Sequence, residues 1–273
     1  MKRAVLALLL FLAGCDNPAG KPWLGYVEGE DAFIAAPQAG WVARLDVRRG
    51  DWVKLGDPLF TLDDTNQAAA RDQATAAIAL AQSQRVAAVA NRDLTQKELV
   101  RQSALLDVGA GTKQAYDVAK AAYDTAQAQI SQIDAQIAQA RASLSGAAYQ
   151  LSERAVVSRT AGRVEDVYFR TGEYAPAMTP VVSVLPPQNI YVRFFVPESD
   201  FAHVRLGQRV AIACDGCAPG IVATITFIAQ QEEFTPPVIF SSDSREKLVF
   251  KIEARAPGGL KLNPGQPVDV RPL

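Results

Sequence analysis

The hydrophobic and polar positions of this chain follow distinct rhythms along its 273 residues. Residues 66–108 and 112–145 contain neither glycine nor proline and are rich in alanine and glutamine. Strong helix formers summed over windows of that length predict two long helices. In the second window Tyr116, Ala119, Tyr123, Ala126, Ile130, Ile133, Ile137, Ala140 and Leu144 recur at alternating steps of three and four. That is the heptad seam of a left-handed coiled coil. The first window has a weaker seam through Ala76, Leu80, Ser83, Ala87, Ala90 and Leu94, with small residues that allow close approach. Gly109 and Gly111 interrupt the pattern, and Thr112 stands where it caps the next helix. The spacing predicts an antiparallel helical hairpin over 65–150, about 60 Å long at a rise of roughly 1.5 Å per residue.

On either side of the hairpin the period changes to that of strands. Two segments match at a constant offset of 122 residues. Ala39-Gly40-Trp41-Val42, Leu45, Arg48, Gly50, Asp51, Pro58, Leu59 and Leu62 align with Ala161-Gly162-Arg163-Val164, Val167, Arg170, Gly172, Glu173, Pro180, Val181 and Val184. Ungapped self-similarity means two copies of one supersecondary unit, and alternation between glycine-bearing turns makes each a set of short strands. The halves at 31–64 and 155–186 are therefore expected to meet in one small sandwich from which the hairpin projects. After Pro186-Pro187, residues 188–273 offer five or six strands, with a short helix predicted within 198–204. They predict a small closed or partly open barrel. The fold class is thus α+β, elongated and multi-domain: a split sandwich, a long coiled-coil hairpin and a small barrel.

The N-terminus has a different character. Lys2 and Arg3 precede an apolar run at 4–12 that is too short to span a bilayer. The run ends in Leu12-Ala13-Gly14-Cys15, which looks like a bacterial lipobox, so residues 1–15 read as a lipoprotein signal peptide with Cys15 as the acylated residue. Asp16 resembles the signal that retains lipoproteins in the inner membrane. Two or three acyl chains give stable anchoring where one does not. Residues 16–30, with Asn17, Pro18, Gly20 and Pro22, read as a tether.

Composition excludes several functions. A net charge of −1 leaves no footprint for nucleic acid. No GxxxxGK[ST] loop occurs, so any energy source belongs to a partner. Cys214-Asp215-Gly216-Cys217 invites a redox reading, but both flanks are strand-like and Asp-Gly is hairpin-turn chemistry. A structural disulfide is the better reading in an oxidising compartment; redox and metal roles are the alternatives. A zinc site needs two more ligands, and His203 alone is on offer. His203 also lacks a nucleophile motif. The sequence predicts no enzyme, no cofactor and no metal.

The order of β half, helical hairpin, second β half and barrel resembles the HlyD-type periplasmic adaptor family, also called membrane fusion proteins. The halves resemble a split biotinyl/lipoyl domain in Ala36-Pro37-Gln38-Ala39-Gly40, Val47-Arg48-Arg49-Gly50-Asp51-Trp52-Val53 and Gly56-Asp57-Pro58-Leu59-Phe60. True carriers hold a lysine where this chain has Asp63-Asp64-Thr65; Lys54 lies in a different turn. Pro197-Glu198, Leu206-Gly207-Gln208 and Leu262-Asn263-Pro264-Gly265 resemble the family's barrel signatures. Glu233-Phe234-Thr235-Pro236-Pro237, followed by residues 245–250, resembles the subgroup that serves ABC-type exporters. The resemblance implies a lipid-anchored adaptor on the periplasmic face of a Gram-negative inner membrane. It would link an ABC-type transporter to a TolC-like outer-membrane channel and self-associate as a ring, with a hexamer expected. Family members contact the duct through an Arg, a Leu and a Ser-like residue at the hairpin tip, which correspond here to Arg101, Leu105 and Thr112. The competing reading is a coiled-coil envelope lipoprotein with a structural or signalling role.

Overall fold

A computed structural model describes residues 21–234 and 248–273. Cys15, the leader, the start of the tether and most of the ABC-type segment lie outside the described residues. In chain order the elements begin with β1 (Trp23–Gly29), β2 (Ala32–Ala35), β3 (Gly40–Leu45), β4 (Trp52–Val53) and β5 (Pro58–Leu62). Helices α1 (Thr65–Asp107) and α2 (Lys113–Ser152) follow, then β6 (Ala155–Val157), β7 (Gly162–Val167), β8 (Tyr174–Ala175) and β9 (Pro180–Leu185). The chain ends with β10 (Ile190–Pro197), α3 (Glu198–Phe201), β11 (Arg209–Ala213), β12 (Ile221–Phe234), β13 (Leu248–Arg255) and β14 (Pro267–Pro272). The described residues divide into two compact units: 33–184, and 21–32 together with 185–234 and 248–273.

The unit at 33–184 carries the repeat. Two four-stranded sheets have the orders β2-β9-β7-β4 and β6-β5-β3-β8. Each sheet takes its inner pair from one half and its outer pair from the other, and the offset of 122 exchanges the two sheets. Backbone bonds repeat in the same way. The Gly50 N–H donates to Val164 O and the Gly172 N–H to Val42 O, both at 2.8 Å. Val42, Val53, Leu59, Phe60 and Leu62 are buried, and so are their equivalents Val164, Ala175, Val181, Val182 and Val184. Neither half alone can satisfy its strand edges.

One position departs from the repeat. Gly56 has φ +88°, and its equivalent Met178 has φ +58°. The two make matching bonds: the Gly56 N–H donates to Ser158 O at 2.8 Å and the Met178 N–H to Ala36 O at 2.9 Å. The bond and the paired strands hold Met178 in the left-handed region, which disfavours residues with a Cβ by roughly 1–2 kcal/mol.

The second unit is a closed barrel in the order β1-β10-β13-β12-β11-β14. Along β10, Val192, Phe194 and Val196 are fully buried while Arg193 and Phe195 between them are half-buried, the period of two that a barrel wall requires. The predicted short helix is α3, a single turn after β10.

The tether predicted at 16–30 needs correction. Trp23–Gly29 is a barrel strand, paired antiparallel with β10 through Val27↔Val192 and with β14 through Trp23↔Val270. Its glycines suggested a linker, yet a Cβ on Gly25 would lie 2.6 Å from the Phe194 Cβ. Glycine there permits close packing rather than freedom. The barrel predicted over 188–273 therefore takes its sixth strand from ahead of the sandwich. Leu185, assigned to the split domain by sequence, packs in the barrel core.

Polar clamps fix β1 in place. Tyr191 Oη donates to Glu28 Oε2 at 2.6 Å, and the Arg193 guanidinium donates to Glu28 Oε1 at 2.6 Å and Glu253 Oε1 at 2.9 Å. Burial and the bond to Glu28 push the Tyr191 hydroxyl above the ordinary tyrosine range. Trp23 stacks on Phe194 at 5.8 Å, and its Nε1–H donates to Asp200 Oδ2 of α3 at 3.0 Å.

Candidate functional site

The site the sequence nominates is the turn that joins α1 to α2, and it depends on how those helices pair. On α2 all nine predicted seam residues are buried or half-buried, with Ile130, Ile133 and Ile137 at 5–6% exposure. On α1 the predicted seam is wrong. Ala76, Leu80, Ser83, Ala87, Ala90 and Leu94 are all exposed, Leu80 at 62%. The face turned inward instead runs through Ala74, Ile78, Ala81, Ala88, Arg92, Thr95, Leu99, Gln102 and Leu106. Ala81 clusters with Ile133 and Ile137, and Arg85 pairs across the hairpin with Asp134 at 2.6 Å. The isoleucines of α2 need small opposing residues, and alanine is so frequent on α1 that more than one face offers them.

The turn itself is a Schellman motif. The Gly109 N–H donates to Leu106 O at 3.0 Å and the Ala110 N–H to Leu105 O at 2.9 Å. Gly109 takes φ +73°, as the position after a helix C-cap requires. Thr112 is the N-cap of α2, its Oγ1 accepting from the Ala115 N–H at 3.2 Å. The two caps answer the unpaired backbone groups of both helix ends, so the tip is held by its own main chain.

On this frame Arg101 and Leu105 lie one turn apart on α1. The Arg101 guanidinium is exposed and paired with Glu98 at 3.0 Å, an i,i+3 contact. Leu105 is 38% exposed at the margin of the inward face, and its carbonyl also accepts from the Gly111 N–H at 2.9 Å. A shallow groove of about 470 Å³ near the tip takes in Glu98, Gln102, Thr112 and Val118, but neither Arg101 nor Leu105. The structure thus brings Arg101 and Leu105 to one face and sets Thr112 beside the groove. Sequence reasoning missed Val108, 76% exposed at the C-cap, and Val118, 64% exposed on the first turns of α2. A β-branched apolar residue directly ahead of a cap glycine was the available signal for Val108.

The remaining candidates fall elsewhere. Cys214 and Cys217 sit in the turn from β11 to β12 with Cα atoms 5.3 Å apart and sulfurs within bonding distance. The Cys217 N–H donates to Cys214 O at 3.1 Å, and both side chains pack on the barrel core. Neither stands at a helix N-terminus. Lys54 lies in an exposed turn whose N–H donates to Asp57 Oδ2 at 2.8 Å. Among the described residues no three His, Cys, Asp or Glu side chains gather as a metal site. No helix among the described residues is long and apolar enough to cross a membrane.

No family model matches the chain. The solved structure of MacA from Actinobacillus actinomycetemcomitans superposes with a TM-score of 0.72 at 20% identity, covering 93% of this chain and 78% of that one. The membrane fusion protein Spr0693 from Streptococcus pneumoniae R6 gives 0.57 at 18% identity, covering 92% and 97%. This chain has the membrane fusion protein fold. In sequence, the chain is 27% identical over 230 residues to the nickel-cobalt-cadmium resistance protein NccB of Alcaligenes xylosoxydans xylosoxydans. That match covers 84% of the chain and spans about half, 52%, of the relative.

Proposed function

We propose that this membrane fusion chain is the periplasmic adaptor of a tripartite exporter. It would be lipid-anchored through Cys15 at the inner membrane and would join an ABC-type transporter to a TolC-like outer-membrane channel. It acts as a ring, with six copies the expected number, and it catalyses no reaction. The observation that carries this reading is the hairpin tip. Two helices of 43 and 40 residues end in a doubly capped turn that leaves Leu105 and Val108 exposed, with Arg101 one turn before Leu105 on the same helix. A rigid tip with an apolar anchor and a neighbouring cation suits an end-on contact with helix ends, where Leu105 fills a groove and Arg101 meets carboxylates or carbonyls. The NccB similarity supports a role in efflux. The ABC assignment rests on the segment from Glu233 to Pro237 and on 245–250. The cysteine pair is a structural staple of the barrel turn in this reading.

The test is capture of the outer-membrane channel by purified adaptor. Leu105→Asp is expected to abolish capture while far-UV circular dichroism and thermal unfolding stay at wild-type values, because the residue lies at the margin of the helix pairing. A single buried contact is worth about 1 kcal/mol or more, and a ring multiplies the loss through avidity. Arg101→Ala is expected to weaken capture less, with added salt reproducing part of the loss. Wild-type capture by folded Leu105→Asp protein would remove the tip from the interface and favour a structural or signalling lipoprotein.

A further inference from the structure

We propose that the barrel end at which β1 begins rests on the bilayer surface, through a basic and apolar patch on the side formed by β11, β14 and β1. The inference deepens the lipid-anchor reading of Cys15 and rests on it. Its starting point is the corrected tether. Five residues, Asp16 to Gly20, separate Cys15 from Lys21, the first described position of the barrel chain. Fully extended, the span from Cys15 to Lys21 reaches about 20 Å at roughly 3.5 Å per residue. Trp23 is fixed in the barrel. That side chain is 7% exposed, stacked on Phe194 and hydrogen-bonded to Asp200, so the chain leaves the barrel at one fixed point. An acylated Cys15 therefore holds this end of the barrel close to the lipid headgroups.

The strand register says which residues share that end. Trp23 pairs with Val270 on β14, and Pro272 pairs with Val210 on β11. Arg271 and Arg209 accordingly lie beside the start of β1, with Lys21 just ahead of it. The turn at 205–208 is fastened to the same end, since the Gly207 N–H donates to Ile225 O and the Ile225 N–H to Gln208 O, both at 2.9 Å. Within it Leu206 is 66% exposed, and Leu24 on β1 is 68% exposed. The Arg205 guanidinium donates to Ala202 O at 2.7 Å and Val204 O at 2.8 Å, which holds it over this turn. Lys21, Arg209 and Arg271 are exposed and form no ion pair among the described residues. Among the described residues the carboxylates of this end are Glu198 and Asp200 on α3, the latter accepting from the Trp23 Nε1–H, and Glu232 on β12; exposed Asp269 lies one row deeper opposite Leu24. Cations with no ion partner among the described residues, together with the exposed Leu24 and Leu206 at the same end, match a negatively charged headgroup layer. Each cation near such a surface strengthens binding roughly fivefold, and the effect fades within a Debye length.

The experiment uses the acylated full chain in vesicles of phosphatidylethanolamine and phosphatidylglycerol, in a Cys214→Ser/Cys217→Ser background. A fluorophore is placed at Leu206→Cys or, as the opposite-end control, at Lys261→Cys. Headgroup-linked quencher is expected to quench the Leu206 label at least several-fold more than the Lys261 label. Arg209→Glu/Arg271→Glu should erase most of the difference. A second arm measures co-sedimentation of unacylated Cys15→Ser protein, which should prefer these vesicles to pure phosphatidylcholine and lose at least tenfold in binding with the double charge reversal. Equal quenching of both labels in protein shown by mass spectrometry to be acylated overturns the inference and leaves the anchor intact. Absence of an acyl chain sinks the anchor reading, and the sedimentation arm then decides the surface: a charge-dependent preference upholds it, no preference overturns it. Unchanged quenching in the double variant together with lost export assigns the cations to a protein partner and overturns the lipid assignment.

Discussion

α1 and α2 are partners over nearly equal lengths, yet they contribute unequally to the pairing. α2 brings the bulk: Ile130, Ile133 and Ile137 fill the space between the helices. α1 brings room. Ala81 is its one buried residue, and Ala88 and the half-buried Arg92 continue the inward face. A helix that supplies large side chains has one face capable of being the core. A helix that supplies small ones has several, and its partner chooses among them. The asymmetry also leaves Leu80 and Leu94 facing solvent on α1, while the three isoleucines of α2 all point inward.

The sharpest way to break this comparison is to remove bulk from each helix in turn. Ile133→Ala should cost about 2–3 kcal/mol, the cost of a truncated buried aliphatic. Leu80→Ala should change stability by less than about 0.5 kcal/mol, as exposed substitutions do. Chemical denaturation followed at 222 nm reads both, and equal losses would mean that the helices share the core after all.

The capped ends give the next contrast. Thr112→Ala removes the hydroxyl that accepts from Ala115 and should cost about 1 kcal/mol, with Thr112→Ser recovering most of it. Loss of channel capture without loss of stability would instead give the hydroxyl a direct contact role.

The smallest effect concerns the start of α1, which has no side-chain cap from Asp64 and leans on Asp63. The Asp63 carboxylate accepts from the Thr65 hydroxyl at 2.7 Å and its N–H at 2.9 Å, and these bonds hold its pKa below the ordinary aspartate value. A depressed folded-state pKa stabilises the fold above the unfolded pKa, and that contribution disappears as pH falls through the folded value. Acid titration of unfolding should therefore lose a slight component in Asp63→Asn. An unchanged acid limb would show that the bonds add nothing measurable at this exposed site.

These contrasts explain what was legible. The repeat at offset 122 was plain because both copies bury the same positions, Val42 with Val164 and Leu62 with Val184. The α2 seam was plain because isoleucines marked it. The α1 seam was hidden because alanine satisfies helix propensity on every face, so periodicity lost its meaning there. β1 was hidden because Gly25 reads as flexibility in sequence, whereas the demand for it comes from Phe194, 169 positions later in the chain. At the tip, the caps followed from Gly109 and Thr112, but exposure at Val108 depends on where the helices part, which only the paired geometry fixes.

The exchange of strands between the two sheets has a kinetic consequence. β5 must pair with β6, with Thr61 opposite Ala155, and closing so long a loop in a flexible chain is slow. The hairpin lies inside that loop. Helices form within about a microsecond, and once α1 and α2 zip together the ends to be joined are already neighbours. The helical insertion thus serves as a splint that turns a distant encounter into a local one. Refolding should show helical ellipticity recovering before the fluorescence of Trp41 and Trp52 on the sandwich strands, and Ile133→Ala should delay the second signal more than the first.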